Sequence, residues 1–269
     1  MSATLPHRTS ISARWFALIA GCLFALFAGL TACARTSADT PPEAAPAVLI
    51  FSHTTGYRHA SIEAGVAALT DIAADQGYRA DASENPDIFS AEGLAPYSAI
   101  LLLSATTAPN DPESEWLTGE RRDAFQDFVR SGRGVVAIHA AADSHYHWPW
   151  YRQMIGGAFA RHPPGTPEGR VVSVAPDDPV MQGLPAEILR SDEWYYFKDL
   201  SEDTTLLAAF DPLSIGEPGP DLRPLSWRHE FEGGRIFYTG MGHTEESFSE
   251  AYVRGHIAAG LDWVLDGAP

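Results

Sequence analysis

The chain has 269 residues, 45% of them hydrophobic, which fits one large globular domain or two small ones. Its formal net charge is −17, from 35 acidic and 18 basic residues. So acidic a balance argues against nucleic acid and anionic membrane surfaces as partners.

The first residues have the pattern of a bacterial lipoprotein signal peptide. Arg8 and Arg14 precede the uncharged apolar run Trp15–Leu30, which is short for a membrane span, and Leu30-Thr31-Ala32-Cys33 resembles a lipobox. The following segment is rich in Ala, Pro, Ser and Thr, as flexible tethers are. We expect a signal peptide over residues 1–32, lipidation of Cys33, a tether over 33–46 and a folded domain over 47–269.

Lipidation has consequences for chemistry and location. Cys22 is the only other cysteine and lies inside the apolar run, so the folded domain would contain no disulfide, no cysteine metal ligand and no cysteine nucleophile. We expect export to the periplasmic face of the cell envelope, with the membrane contacted only through the lipid. Because Ala34, and not Asp, follows Cys33, we expect the outer membrane in a Gram-negative host.

The first half of the domain alternates apolar strands with amphipathic helices. The predicted strands are 47–52, 79–83, 98–104 and 134–139. One predicted helix starts at Ser61, whose side chain is expected to cap it, and a second spans 118–131. Nearly continuous apolar strands indicate a parallel sheet covered on both faces. The second half is less regular, with predicted strands at 170–174, 204–210, 225–230 and 235–240, a hairpin at 232–234 and a closing helix over 250–265.

Polar residues directly follow several of these strands. His59 follows the first strand, His139 ends the strand at 134–139 with Asp143 just after it, and His243 follows the last strand. Ligands of parallel sheets bind at the carboxyl ends of the strands. We therefore expect these four residues to line one pocket. By contrast, we expect His145, His147, His229 and His256 to pack within loops, strands or the core.

Four segments carry a family resemblance: FSHTTGYRHASI, GVVAIHAAADSHYHWPWY, DEWYYF and GRIFYTGMGHT. They resemble successive blocks of the ThuA-like (trehalose-utilisation) family, in the class I glutamine amidotransferase-like superfamily. The resemblance implies an α/β fold, a flavodoxin-like three-layer sandwich with a mainly parallel central sheet, and a link to bacterial use of trehalose. The amidotransferases place a nucleophilic cysteine where this chain has His139, so the protein is not expected to be a glutamine amidotransferase.

The candidate site residues are of two kinds. Histidine titrates near neutral pH and can work with a carboxylate in acid–base chemistry, whereas aromatic rings stack on the C–H faces of sugars. The predicted catalytic residues are His139, Asp143, Glu193 and His243. The predicted substrate-binding residues are Tyr57, Arg58, His59, Trp148, Trp150 and His162.

Three functions remain open at this point. The first is an enzyme that hydrolyses, cleaves or isomerises a trehalose-type disaccharide or an oxidised sugar. The second is a non-catalytic carbohydrate-binding lipoprotein. The third is a zinc-dependent sugar hydrolase or isomerase, with His59, His139 and His243 as candidate ligands. Zinc is the one cofactor that these residues suggest. The chain has neither a phosphate-binding glycine loop nor a Gly-x-Ser-x-Gly elbow, so we do not expect nucleotide hydrolysis or standard α/β-hydrolase chemistry.

Overall fold

A nine-stranded sheet runs through residues 46–266, the part of the chain that the computed structural model describes. The predicted signal peptide, Cys33 and all but the last residue of the predicted tether lie outside this range. The strands are β1 (Ala47–Phe51), β2 (Arg79–Ser83), β3 (Tyr97–Leu103), β4 (Gly134–Ile138), β5 (Ala158–Arg161), β6 (Glu168–Ser173), β7 (Glu187–Ser191), β8 (Tyr196–Lys198), β9 (Thr205–Phe210), β10 (Arg223–Phe231) and β11 (Gly234–Thr239). The α-helices are α1 (Ile62–Asp75), α2 (Ala91–Leu94), α3 (Glu120–Arg130), α4 (Pro149–Ile155) and α5 (Ala251–Leu265).

The sheet has a parallel half and an antiparallel half. Its strand order is β2-β1-β3-β4-β11-β10-β9-β6-β7. The pairings from β2 to β11 are parallel, and those from β11 to β7 are antiparallel. Strands β5 and β8 form a separate two-stranded sheet. The predicted α/β sandwich is confirmed, with β1, β3 and β4 as neighbouring central strands, and the hairpin before β11 is the β10–β11 pair.

The apolar strands are continuous because both faces of the sheet are covered. Along β1, Val48 and Ile50 pack into one core while Leu49 and Phe51 pack into the other. Helices α1 and α5 contribute to the first core, and α3 and α4 contribute to the second. This arrangement is the three-layer sandwich. Among residues 46–266, no helix is both long enough and apolar enough to cross a membrane.

The start of α1 differs from the expected cap. The Ser61 side chain makes no hydrogen bond to the first turn of its own helix. Its hydroxyl instead donates to the carbonyl oxygen of Gly242, at 2.9 Å and 181 positions away. The start of α1 is thereby tied to the turn that follows β11.

One close contact between α5 and β11 gives a stability prediction. A Cβ atom at Gly260 would lie 2.5 Å from the buried Phe237 ring, whereas one at Gly255 in the same helix would approach only Leu184 Cδ2, at 3.2 Å. We expect Gly260→Ala to lower the free energy of unfolding by about 1–2 kcal/mol, because overpacking outweighs the better helix propensity of alanine. Urea denaturation of Gly260→Ala and of the control Gly255→Ala measures the two losses of stability. Equal losses would contradict a clash between the added Cβ atom and Phe237.

Candidate functional site

Loops that follow three parallel strands meet at the carboxyl edge of the sheet. His59 lies in the loop after β1, His139 directly follows β4, and His243 lies in the turn after β11. Glu193 reaches the same place from the segment between β7 and β8. One ligand atom from each of these four side chains lies within 4.8 Å of the others, so together they could hold a metal ion. We call these four residues the histidine–glutamate cluster.

His139 has an uncommon backbone conformation and a fully buried ring. Its φ of 50° lies in the left-handed region, which few residues other than glycine adopt. The Nδ1 atom lies 2.8 Å from the Gly240 carbonyl oxygen, and the Tyr238 hydroxyl donates to the carbonyl oxygen of His139 at 2.8 Å. Since a carbonyl oxygen only accepts, Nδ1 carries the proton and Nε2 faces the cluster.

Glu193 contacts the imidazoles around it through both carboxylate oxygens. Its Oε2 atom lies 3.1 Å from His243 Nδ1 and 3.5 Å from His139 Nε2, while Oε1 lies 3.0 Å from His162 Nδ1. Burial works to raise the pKa of Glu193, but the contacts with His139 and His243 outweigh it and hold the pKa well below the usual range. The hydrogen bond that His243 donates to Glu193 raises the pKa of His243.

His59 and Asp143 are shifted chiefly by burial. Burial, followed by the neighbouring His139 and His243, lowers the pKa of His59 to about 3, so its imidazole is neutral. Burial and then the charge of Glu193 raise the pKa of Asp143 to about 7. Within residues 46–266, His59 Nδ1 and Asp143 Oδ1 are buried without a hydrogen-bond partner.

A buried ion pair positions the cluster. The Asp192 carboxylate accepts hydrogen bonds from the backbone N–H groups of Glu193, Gly242 and His243, at 2.9, 3.0 and 3.1 Å. The buried Arg190 guanidinium pairs with Asp192 and donates to Glu250 Oε2 at 2.8 Å. Sequence reasoning missed Arg190 and Asp192. Their only signal was the position of Asp192 in DEWYYF, beside Glu193.

The cluster opens into a pocket of about 390 Å³. Its lining residues are Tyr57, His59, Asp143, Phe159, His162, Gly165, Glu193, Tyr195 and His243. The Tyr195 ring lies 4.4 Å, centroid to centroid, from both His139 and Phe159. His139 itself lies behind the pocket wall. The aromatic wall formed by Phe159 and Tyr195 was not among the predicted site residues, because Phe159 lies in the small sheet and Tyr195 follows β7, a strand that the sequence did not predict.

Three predicted substrate-binding residues lie elsewhere. Trp148 and Trp150 are only 7% and 9% exposed, stack on each other at 4.9 Å and pack in the core on the α3 side of the sheet. The tryptophan prediction is therefore corrected: large rings at the start of α4 bury apolar area in the core. Arg58 points away from the pocket toward Glu63 and Glu84, at 2.8 and 2.9 Å, because two carboxylates attract it there.

A flavodoxin-like α/β sandwich with a histidine–carboxylate pocket at the carboxyl edge of its sheet defines the class of this protein. Residues 47–264 match the ThuA family, described as trehalose utilisation, and the chain belongs to that family. Membership points to a role related to trehalose utilisation. No curated protein matches the sequence.

Solved structures share the fold. A ThuA-like protein from Bacteroides uniformis is 24% identical, with a TM-score of 0.66 over 83% of this chain and 94% of that one. A ThuA-like protein from Parabacteroides merdae is 18% identical, with a TM-score of 0.66 over 83% and 91% of the two chains. A β-galactosidase from Rahnella sp. is 16% identical, with a TM-score of 0.55 over 83% of this chain but 31% of the larger enzyme.

The Asp192 network gives the second prediction. We expect Asp192→Asn to lower the free energy of unfolding by about 3–5 kcal/mol, because it leaves the buried Arg190 without a full counter-charge. Asp211→Asn is the matched control, since Asp211 also pairs with an arginine and accepts a backbone N–H, but near the surface. Chemical denaturation of both variants measures the difference. A loss no larger than that of Asp211→Asn would show that the network does not hold the site.

Proposed function

We propose that this protein is an enzyme that acts on a trehalose-type disaccharide or an oxidised sugar derivative in the pocket at the carboxyl edge of its sheet. The main support for this proposal is that acid–base side chains converge on one pocket that also has an aromatic wall. These side chains are His59, Asp143, Glu193 and His243. Family membership supports the sugar class.

The size and lining of the pocket suit a small sugar. A volume of about 390 Å³ lies toward the lower end of the range for small-molecule sites. The rings of Phe159 and Tyr195 offer apolar surface to C–H faces, while His162 and Asp143 offer hydrogen bonds to hydroxyl groups. Tyr57, with 65% of its surface exposed, stands at the mouth and is free to contact an incoming ligand.

Asp143 favours an enzyme over a binding protein. A neutral sugar can be held by hydrogen-bonding side chains alone, without a buried carboxyl group beside a second carboxylate. Asp143 lines the pocket with an unpartnered buried oxygen, and its raised pKa, about 7, keeps a proton available near neutral pH. We assign Asp143 the role of proton donor to a sugar oxygen, with Glu193 and His243 as the other acid–base groups of the same pocket.

Turnover assays of the purified protein test this function. We expect products from trehalose, other disaccharides or their 3-keto forms, and a fall in kcat of about 100-fold or more for Asp143→Asn through loss of the proton donor. Asp177→Asn, at an exposed carboxylate outside the pocket, is the control and retains full activity. Sugar binding without turnover would favour the binding-protein alternative. The absence of both binding and turnover would refute a carbohydrate function.

We also propose that the protein is exported and anchored through a lipid on Cys33, on the strength of the lipobox-like sequence. Cys33→Ala should remove the lipid, so that the protein leaves the membrane fraction or accumulates unprocessed. Cys22→Ala, within the apolar run, is the matched control and should stay membrane-associated. Fractionation and intact-mass measurement report both outcomes. Unchanged mass and membrane association of Cys33→Ala would overturn the anchor.

A further inference from the structure

Three ligand atoms of the histidine–glutamate cluster have about the spacing of corners in a tetrahedral metal site. Zinc bonds to nitrogen and oxygen are about 2.0–2.2 Å long, which puts ligand atoms at tetrahedral corners about 3.3–3.6 Å apart. His139 Nε2 lies 3.3 Å from His243 Nδ1 and 3.5 Å from Glu193 Oε2, and His243 Nδ1 lies 3.1 Å from Glu193 Oε2. The fourth atom, from His59, lies within 4.8 Å of the rest.

One hydrogen bond at the edge of the cluster directs a lone pair into it. The Nδ1–H of His139 is used on the Gly240 carbonyl oxygen, so a neutral His139 presents the lone pair of Nε2. A proton on His243 Nδ1 would satisfy Glu193, but it would leave His139 Nε2 facing Glu193 Oε2 across 3.5 Å. The arrangement of His139 is common among metal-binding histidines, whose second ring nitrogen donates its hydrogen to a backbone carbonyl.

No arginine or lysine neutralises the cluster in the described part of the chain. All ion-pair partners of Glu193 there are histidines. Arg58 points away, and Arg190 is engaged by Asp192 and Glu250. His59 Nδ1 is in addition buried without a hydrogen-bond partner, which is unfavourable unless something satisfies it.

We propose that His59, His139, His243 and Glu193 bind one divalent transition-metal ion, of which zinc is the representative. Imidazole nitrogens with one carboxylate oxygen suit zinc and its first-row neighbours, whereas Mg²⁺ and Ca²⁺ prefer sites made of oxygen ligands. His59, Glu193 and His243 line the pocket, so an ion held by them faces any ligand bound there.

The metal site deepens the proposed function, and its chemical role rests on that function. An ion at the cluster would polarise a hydroxyl or carbonyl oxygen of the sugar, which stabilises the negative charge that develops there during reaction. Asp143 stays free to move a proton, because it is not one of the four ligands. Aromatic rings on Phe159 and Tyr195 would hold the sugar beside the ion.

Zinc binding to the purified protein, stripped with a chelator, tests the site directly. We expect one tightly bound zinc per chain by competition with a chromogenic chelator, a rise in Tm with zinc, and neither effect with Mg²⁺. Co²⁺ should give the visible absorption of a four- or five-coordinate nitrogen–oxygen site. The proposal is overturned if the wild-type protein binds no stoichiometric zinc. It is also overturned if added Co²⁺ shows only the spectrum of six-coordinate Co²⁺ in water.

Two ligand variants and a surface control locate the ion. His243→Ala and Glu193→Gln should each weaken zinc binding about 100-fold or more. In other metalloproteins, loss of a residue that only hydrogen-bonds to a metal ligand already lowers metal affinity about 10–100-fold. His147→Ala, at an exposed histidine outside the pocket, should bind as wild type. Circular dichroism checks that each variant is folded, and Glu193→Gln, nearly the same shape, serves if His243→Ala does not fold. Wild-type affinity in folded ligand variants overturns the assignment.

The metal-site proposal and the proposed carbohydrate function can be refuted separately. Stoichiometric zinc that depends on His243 and Glu193 supports the site even if no carbohydrate is turned over. Conversely, turnover that survives full metal removal leaves the carbohydrate function standing and overturns the role given to the ion. Restoration of lost turnover by zinc, but not by Mg²⁺, supports both.

Discussion

The site depends on one buried carboxylate. Asp192 receives the backbone N–H groups of Glu193, Gly242 and His243, and Arg190 balances its charge. Two segments about 50 positions apart are thereby fixed against each other, so the Glu193 and His243 side chains meet at 3.1 Å. A buried charge is tolerable here only because it is both paired and hydrogen-bonded.

The parallel half of the sheet supplies further polar residues that line the pocket. Parallel strands end at one edge, so polar residues that follow apolar runs in the sequence come together in space. The placement of His59, Asp143 and His243 at this edge could be predicted for that reason. Glu193 comes from the segment that precedes β8 and follows no such rule, so its candidacy came only from the family-like segment DEWYYF.

Residue type alone did not separate core aromatics from pocket aromatics. Trp148 and Tyr195 both have large rings and polar neighbours in the sequence. Trp148 nevertheless packs in the core on the α3 side of the sheet, whereas Tyr195 lines the pocket. What decides is which layer each segment joins, and that depends on tertiary packing. Ser61 is similar: its position predicted a helix cap, but a distant carbonyl at Gly242 competes successfully for its hydroxyl.

His139 occupies the sharp turn after β4, yet its ring cannot serve as the reacting group. It is fully buried, Nδ1 is bonded to Gly240, and Nε2 faces only the cluster, so no path leads from its ring to a sugar except through Glu193 or His243. Its action on a ligand must therefore be transmitted, either by a hydrogen bond that orients its neighbours or by an ion that it helps to hold. The groups that face the pocket are Asp143, Glu193 and His243. We infer a division in which the buried imidazole fixes the geometry and the pocket-facing groups meet the substrate.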